Sequence, residues 1–213
     1  MIITLKILIA LILGLSGGRA GSRWIDILYE KQMSVLSFPE EQLSRSRFRP
    51  HGLSFLLTLL FCWLLLITGE KNIITTISLL LFDYFLILFT FTDFEQQVIF
   101  DRMLIPFAIL GFLQMLLLQL PVTNHLLAGI GGGLIFLLLA ILTRGGIGGG
   151  DIKLIAALGL WLGSDSLLTV AAAGLVLGGL AAFFLMITRQ KKRGDFFAYG
   201  PYFTIAAILL TNL

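Results

Sequence analysis

The sequence predicts an all-α, polytopic helical membrane protein with about eight transmembrane helices, and three observations carry that prediction. Of its 213 residues, 58% are hydrophobic and only 13% are charged, against about 25% charged in an ordinary soluble domain. Several apolar runs reach the ~20 residues that a helix rising about 1.5 Å per residue needs to cross ~30 Å of hydrocarbon. The runs are rich in Leu, Ile and Phe on every face and lack the period-two alternation of a barrel strand, which argues against a transmembrane β-barrel. A mean hydropathy of +0.99 also excludes a single water-soluble core.

The expected spans, in order, are about 2–18, 53–69, 72–92, 103–120, 123–143, 150–163, 166–188 and 198–212. The first has one lysine, Lys6, ahead of its apolar part and is followed by Arg19 and Arg23. That fits an uncleaved helix with its N-terminus outside better than a secretory signal. The second contains Cys62, the one cysteine, which permits no intramolecular disulfide and no cysteine-based zinc site. The third carries Asp83 in mid-span. The fifth holds Gly129 and Gly133, and the seventh Gly174 and Gly178; small residues at four-residue spacing let helix backbones approach closely. The sixth is short, roughly 20 Å of helix, which would draw its first turn into the membrane edge. His51 and His125 fall in separate segments, so no His-rich metal site is expected.

Eight spans place the loops alternately on two sides. The set at 19–52, 93–102, 143–149 and 189–197 contains Arg19, Arg23, Lys31, Arg45, Arg47, Arg49, Arg102, Arg144, Arg189, Lys191, Lys192 and Arg193, twelve of the fifteen basic residues. The opposite loops carry only Lys71. By the positive-inside rule the first set is cytoplasmic and both termini lie outside. The 19–52 loop is the one long polar segment, with too few apolar residues for its own core. Residues 1–213 are therefore read as a single integral membrane domain with a cytoplasmic 19–52 loop, whose basic residues are explained mostly as topology determinants.

Acids in or beside spans are costly and become functional candidates. Four stand out: Asp83, Asp93, Asp101 and Asp151. Asp83 suits either a proton relay or an interhelical hydrogen bond. Asp93 ends the third span and Asp151 opens the sixth, so the topology puts two carboxylates from different helices at one membrane depth. Two such acids brought together cannot both ionise. The charged one can take a proton from water while the neutral one hydrogen-bonds a peptide carbonyl, the chemistry of an aspartic protease. The glycines before Asp151 do not form a phosphate loop, which needs Lys and then Ser or Thr directly after the last glycine. A plain hinge there, a proton-coupled transporter using Asp83, Asp93 and Asp151, and a non-catalytic membrane scaffold are the competing readings. The clustering of the motif acids at one face, rather than at the midplane, favours the protease.

These residues resemble a known family, the type IV prepilin leader peptidases, membrane aspartic proteases with a GxGD signature. GIGGGDIKLIAALGLWLG, from Gly146 to Gly163, is similar to the family's second catalytic motif, with Gly148, Gly150, Asp151, Lys153 and Leu154 in register. DFEQQVIFD, from Asp93 to Asp101, resembles the first, with Phe100 where the family usually has proline. YGPYF, from Tyr199 to Phe203, is similar to its Gly-Pro-containing final-helix segment.

The resemblance implies a GxGD aspartic protease architecture with Asp93 and Asp151 as the catalytic pair. Gly148, Gly150, Lys153, Glu95 and Asp101 would be supporting residues whose roles the motif does not carry. The implied substrates are type IV prepilin or pseudopilin precursors, cut after a short basic leader at the cytoplasmic face of the bacterial inner membrane. The lipid bilayer is the other partner; nucleic acid is not one. Peptide cleavage needs no cofactor. GSRWIDILYE resembles the opening of the segment that in many members carries zinc-binding CxxC pairs and supports N-methyl transfer, but Ile25 and Glu30 replace its usual Asn and Arg. RSRFRPHG aligns with the first CxxC, with Phe48 and His51 in the cysteine places. Zinc is therefore not expected, and S-adenosylmethionine would be a cofactor only if methyl transfer is retained.

Overall fold

A computed structural model describes residues 2–39, 47–67, 72–144, 146–189 and 197–212. Among them all regular structure is helical: α1 (Ile2–Lys31), a 3-10 turn (Met33–Val35), α2 (Arg49–Ile67), α3 (Ile73–Gln96), α4 (Asp101–Leu117), α5 (Val122–Leu142), α6 (Gly149–Ile187) and α7 (Gly200–Asn212). Helices α1, α2, α3, α5 and α6 have the length and hydropathy to cross a membrane. Helix α4 has 17 residues, ~26 Å, and α7 has 13, ~20 Å. The polytopic helical class is as the sequence predicts. Arg45, Lys71, Gly145, Lys191, Lys192 and Arg193 lie outside the described residues.

The spans expected at 150–163 and 166–188 follow one another without a loop, as two helical stretches of α6 that meet at a kink. The 39 residues of α6 would measure ~58 Å if straight, about twice the hydrocarbon thickness. The break is at Gly163, whose φ of 73° and ψ of −179° lie in a region essentially restricted to glycine. Polar groups from the start of α5 sit at this break. Asn124 Oδ1 accepts from Ser164 N at 3.3 Å and Ser164 Oγ at 2.5 Å, and His125 Nδ1 lies 3.0 Å from Leu160 O. Contacts of this kind satisfy backbone groups freed inside apolar surroundings.

The second difference concerns the 19–52 loop. Helix α1 continues thirteen residues past the expected end of its span, through Lys31, and α2 begins at Arg49. The reason is a seam of buried residues at helical spacing: Ala10, Gly14, Gly18, Gly21, Ile25, Leu28 and Tyr29. A Cβ at Gly14 or Gly18 would run into the backbone of Thr58 or Ser54 on α2, and one at Gly21 would meet Leu88 and Tyr84 on α3. Close packing against α2 and α3 keeps the chain helical where the average hydropathy has already dropped.

Contacts divide the chain into two compact units, Met1–Val98 with Asn212, and Ile99–Thr211 with Leu213. In the first, α1 packs along α2 and meets α3, with Trp24 and Phe85 edge to face at 6.0 Å. In the second, α6 is the central element. Gly159 abuts the backbone of Ala128 and Gly129 on α5, Trp161 fills the space over Gly111 of α4, and Phe203 of α7 covers Gly174. Trp161 Nε1 donates to Phe107 O at 2.9 Å, and the Phe107 and Trp161 rings stack at 5.3 Å. The small-residue pairs noted in the sequence lie at such approaches: Gly129 and Gly133 face Ala156, and Gly178 faces Tyr199.

Candidate active site

Asp93 stands in the last turn of α3, in the first unit, and is buried. The helix ends three residues later at Gln96, and the capping residue Gln97 takes the left-handed conformation (φ 53°), its N–H donating to Asp93 O at 2.9 Å. That is the αL type of C-terminal cap, here made without glycine. The turn is anchored from two further directions. Gln96 exchanges hydrogen bonds with one backbone unit, its Oε1 accepting from Phe38 N at 2.8 Å and its Nε2 donating to Phe38 O at 2.9 Å. Glu95 accepts from Arg49 Nε at 2.9 and 2.8 Å and from the Tyr29 hydroxyl at 3.0 Å. Glu95, expected as a supporting residue, is thus tied to α1 and α2. Gln96, Arg49 and Tyr29 were not singled out from the sequence.

Asp151 stands in the first turn of α6, in the second unit, and is also buried. Gly148 is the N-cap, so Asp151 occupies the position whose carboxylate can reach back to the cap's own N–H. It accepts from the backbone N–H of Gly148 and also from that of Gly200, the first residue of α7. A helix N-terminus additionally favours a negative charge there. The Tyr199–Phe203 segment, noted only for its resemblance, therefore supplies a direct partner to the motif aspartate.

The glycine spacing has a local explanation. A Cβ at Gly148 would sit 3.3 Å from Asp151 Oδ2, and one at Gly150 would sit 3.2 Å from Ile99 Cβ. Gly149, between them, faces nothing within 4 Å. Gly149→Ala is accordingly expected to leave stability unchanged or raise it by up to about 1 kcal/mol, whereas Gly150→Ala should lower it. Unfolding midpoints of the two variants in detergent check this, and equal midpoints would contradict it.

Asp101 opens α4 and Lys153 follows Asp151 by two residues; Lys153 Nζ donates to both Asp101 oxygens at 2.7 and 2.8 Å. The two supporting residues are thus one ion pair within the second unit. Their side chains are 57% and 60% exposed, and exposed pairs are worth about 0.2–1 kcal/mol. Lys153→Ala is expected to move the unfolding free energy by no more than that, and a larger loss would require a role the pair's exposure does not supply. Phe100, in the place of the expected proline, caps α4 with φ −78°, inside the range proline itself adopts.

Among the described residues, no three His, Cys, Asp or Glu side chains group closely enough to hold a metal ion. Phe48 is 74% exposed and His51 is exposed as well.

The model of the Type IV leader peptidase family matches residues 79–185. The chain is 34% identical over 145 residues to the prepilin leader peptidase/N-methyltransferase of Neisseria gonorrhoeae, covering 63% of this chain and 48% of that protein. It is 31% identical over 137 residues to the protein of that name from Aeromonas salmonicida strain A449, covering 62% and 47%, and 32% identical over 127 residues to that of Bacillus subtilis strain 168, covering 58% and 50%. The chain spans about half the length of the curated relatives it matches. No solved structure matches it. The matched stretch takes in Asp93 and Asp151, the glycine turn and the Asp101–Lys153 pair and covers half of the chain, which therefore belongs to the Type IV leader peptidase family.

Proposed function

We propose that this chain is a membrane-embedded aspartic endopeptidase that removes the short basic leader from type IV prepilin-like or pseudopilin precursors. The observation that carries the reading is the family match over 79–185, which contains Asp93 and Asp151 together. The burial of both acids supports it, since a carboxyl withdrawn from water can hold the proton that an exposed one sheds.

In the proposed reaction the two carboxyls share one proton. The ionised one takes a proton from water as the oxygen attacks the scissile carbonyl, and the neutral one donates a hydrogen bond to the carbonyl oxygen, where charge develops. Collapse of the tetrahedral intermediate passes a proton to the departing amine, which becomes the N-terminus of the mature pilin. The leader keeps the new carboxylate. Gly148 and Gly200, donating backbone N–H groups to Asp151, orient its carboxyl, and hydrogen bonds to the charged form favour it. Water and the two acids suffice, and no step passes through zinc. The distribution of loop charges supports a site on the cytoplasmic side of the membrane, and the proposed membrane is the bacterial inner membrane.

The test is processing of a co-expressed type IV prepilin in membranes, with the parent compared with Asp93→Asn and Asp151→Asn at equal membrane levels. The parent should shorten the prepilin by its leader and each variant should not. A parent that cleaves none of several prepilins would overturn the reading in favour of a scaffold or transporter. Mass spectrometry of the mature N-terminus reads methyl transfer in the same samples: an added methyl group would establish it, with S-adenosylmethionine as the donor.

A further inference from the structure

Arg49 carries a charge into the interior of the first unit, and the proposed chemistry does not use it. Its side chain is fully buried, and a guanidinium cannot shed its proton at ordinary pH, so its desolvation must be offset by what surrounds it. Nε bonds both Glu95 oxygens, Nη2 lies 2.7 Å from Glu95 Oε2, and Nη1 donates to Asp26 Oδ1 at 2.5 Å. The guanidinium also sits 5.0 Å from the centre of the Tyr29 ring, and the Tyr29 hydroxyl donates to Glu95. Three helices are joined at one point: α1 through Asp26 and Tyr29, α2 through its first residue, and α3 through its last turn.

That last turn also bears Asp93. Residues two apart on a helix point about 200° from each other, so Glu95 turns toward α1 and α2 while Asp93 turns away from them. The helix itself therefore links Arg49 to Asp93. We propose that Arg49 is a positioning residue for the peptidase: by gripping Glu95 from the far side of α3, it sets the rotation and depth of the turn that presents Asp93. This rests on the reading of Asp93 as one of the reacting acids. The grip depends on the planar fork, which bonds Glu95 and Asp26 at once, and lysine's single ammonium cannot reproduce it.

The experiment uses the purified full chain in proteoliposomes with a prepilin substrate. Arg49→Lys, the double variant Arg49→Met with Glu95→Gln, and Asp93→Asn are each measured for unfolding midpoint, kcat and KM. The double variant removes both buried charges while leaving an acceptor for the Tyr29 hydroxyl, so it keeps the comparison available if Arg49→Lys fails to fold. A misplacement of about 1 Å costs on the order of a hundredfold in rate. The folded Arg49 variants should therefore lose about 10- to 100-fold in kcat, with KM close to the parent's. Parental kcat in either folded variant, or a loss matching only the fraction unfolded, overturns the positioning role. If Asp93→Asn abolishes cleavage while the Arg49 variants keep parental kcat, only this inference fails. If Asp93→Asn still cleaves, the reading beneath it fails too.

Discussion

Asp93→Asn and Asp151→Asn are each expected to lower leader cleavage by about 10²–10⁴-fold, and the double variant is expected to be no slower than the slower single one. Asparagine keeps the size of the side chain but can neither take nor hold the shared proton. Groups that act as a unit are strongly non-additive, because the first loss already removes what the second contributes. At Asp151 the substitution also tests the local structure: the amide oxygen of asparagine can still accept from Gly148 or Gly200, so the helix start should survive and the unfolding midpoint should stay near the parent's. A double variant slower than either single, by the product of the two losses, would mean that the acids serve separate steps. Asp83 supplies the contrast. It is buried on α3 with Asn212 Nδ2 donating to both of its oxygens at 3.1 and 3.2 Å. The proposed chemistry has no use for it, so folded Asp83→Asn should cleave at the parental rate, whereas a proton relay through the membrane would stop.

What the sequence makes legible here depends on how far apart the cooperating residues are. The apolar helices announce themselves because hydropathy is a local average. The start of α6 is readable for the same reason: Gly148, Gly150 and Asp151 lie within four residues, and the chemistry of the turn is contained in them. The end of α1 is hidden from the same average, since Arg19, Arg23, Asp26, Glu30 and Lys31 dilute it. The period of Gly14, Gly18, Gly21, Ile25 and Leu28 nevertheless continues straight through that stretch and was the signal to follow. Arg49 shows the limit. Its partners are 23 and 46 positions away, and nothing local separates a buried guanidinium from a loop charge that sets topology. Gly200 is similar, 49 residues beyond the carboxylate it bonds, and its backbone N–H has no signature in sequence. Asp101 and Lys153 are both legible as motif residues, while their pairing is a fact of the fold alone.

Gly159→Ala should be among the most damaging single-methyl additions in the molecule, costing about 3 kcal/mol or more, the upper end of overpacking effects. An added Cβ there would lie 2.5 Å from Gly129 Cα and 2.6 Å from the Ala128 carbonyl carbon. Both are backbone atoms, so no rotamer change relieves the overlap and the two helices must separate. At Gly111 and Gly174 the nearest atoms are the rings of Trp161 and Phe203, which can shift by degrees, so the same substitution should cost less. Gly131 and Gly179 face nothing within 4 Å, and alanine there should be neutral or stabilising by up to about 1 kcal/mol through helix propensity. Unfolding free energies of these variants in mixed detergent decide the matter. If Gly159→Ala matches Gly131→Ala, the α5–α6 crossing is looser than described and small residues do not set it. The consequence reaches the chemistry because Gly159 lies eight residues, ~12 Å, along the same straight helix from Asp151. Pushing α6 off α5 moves the turn that Gly148 and Gly200 hold, so leader cleavage should fall in Gly159→Ala even in the fraction that remains folded.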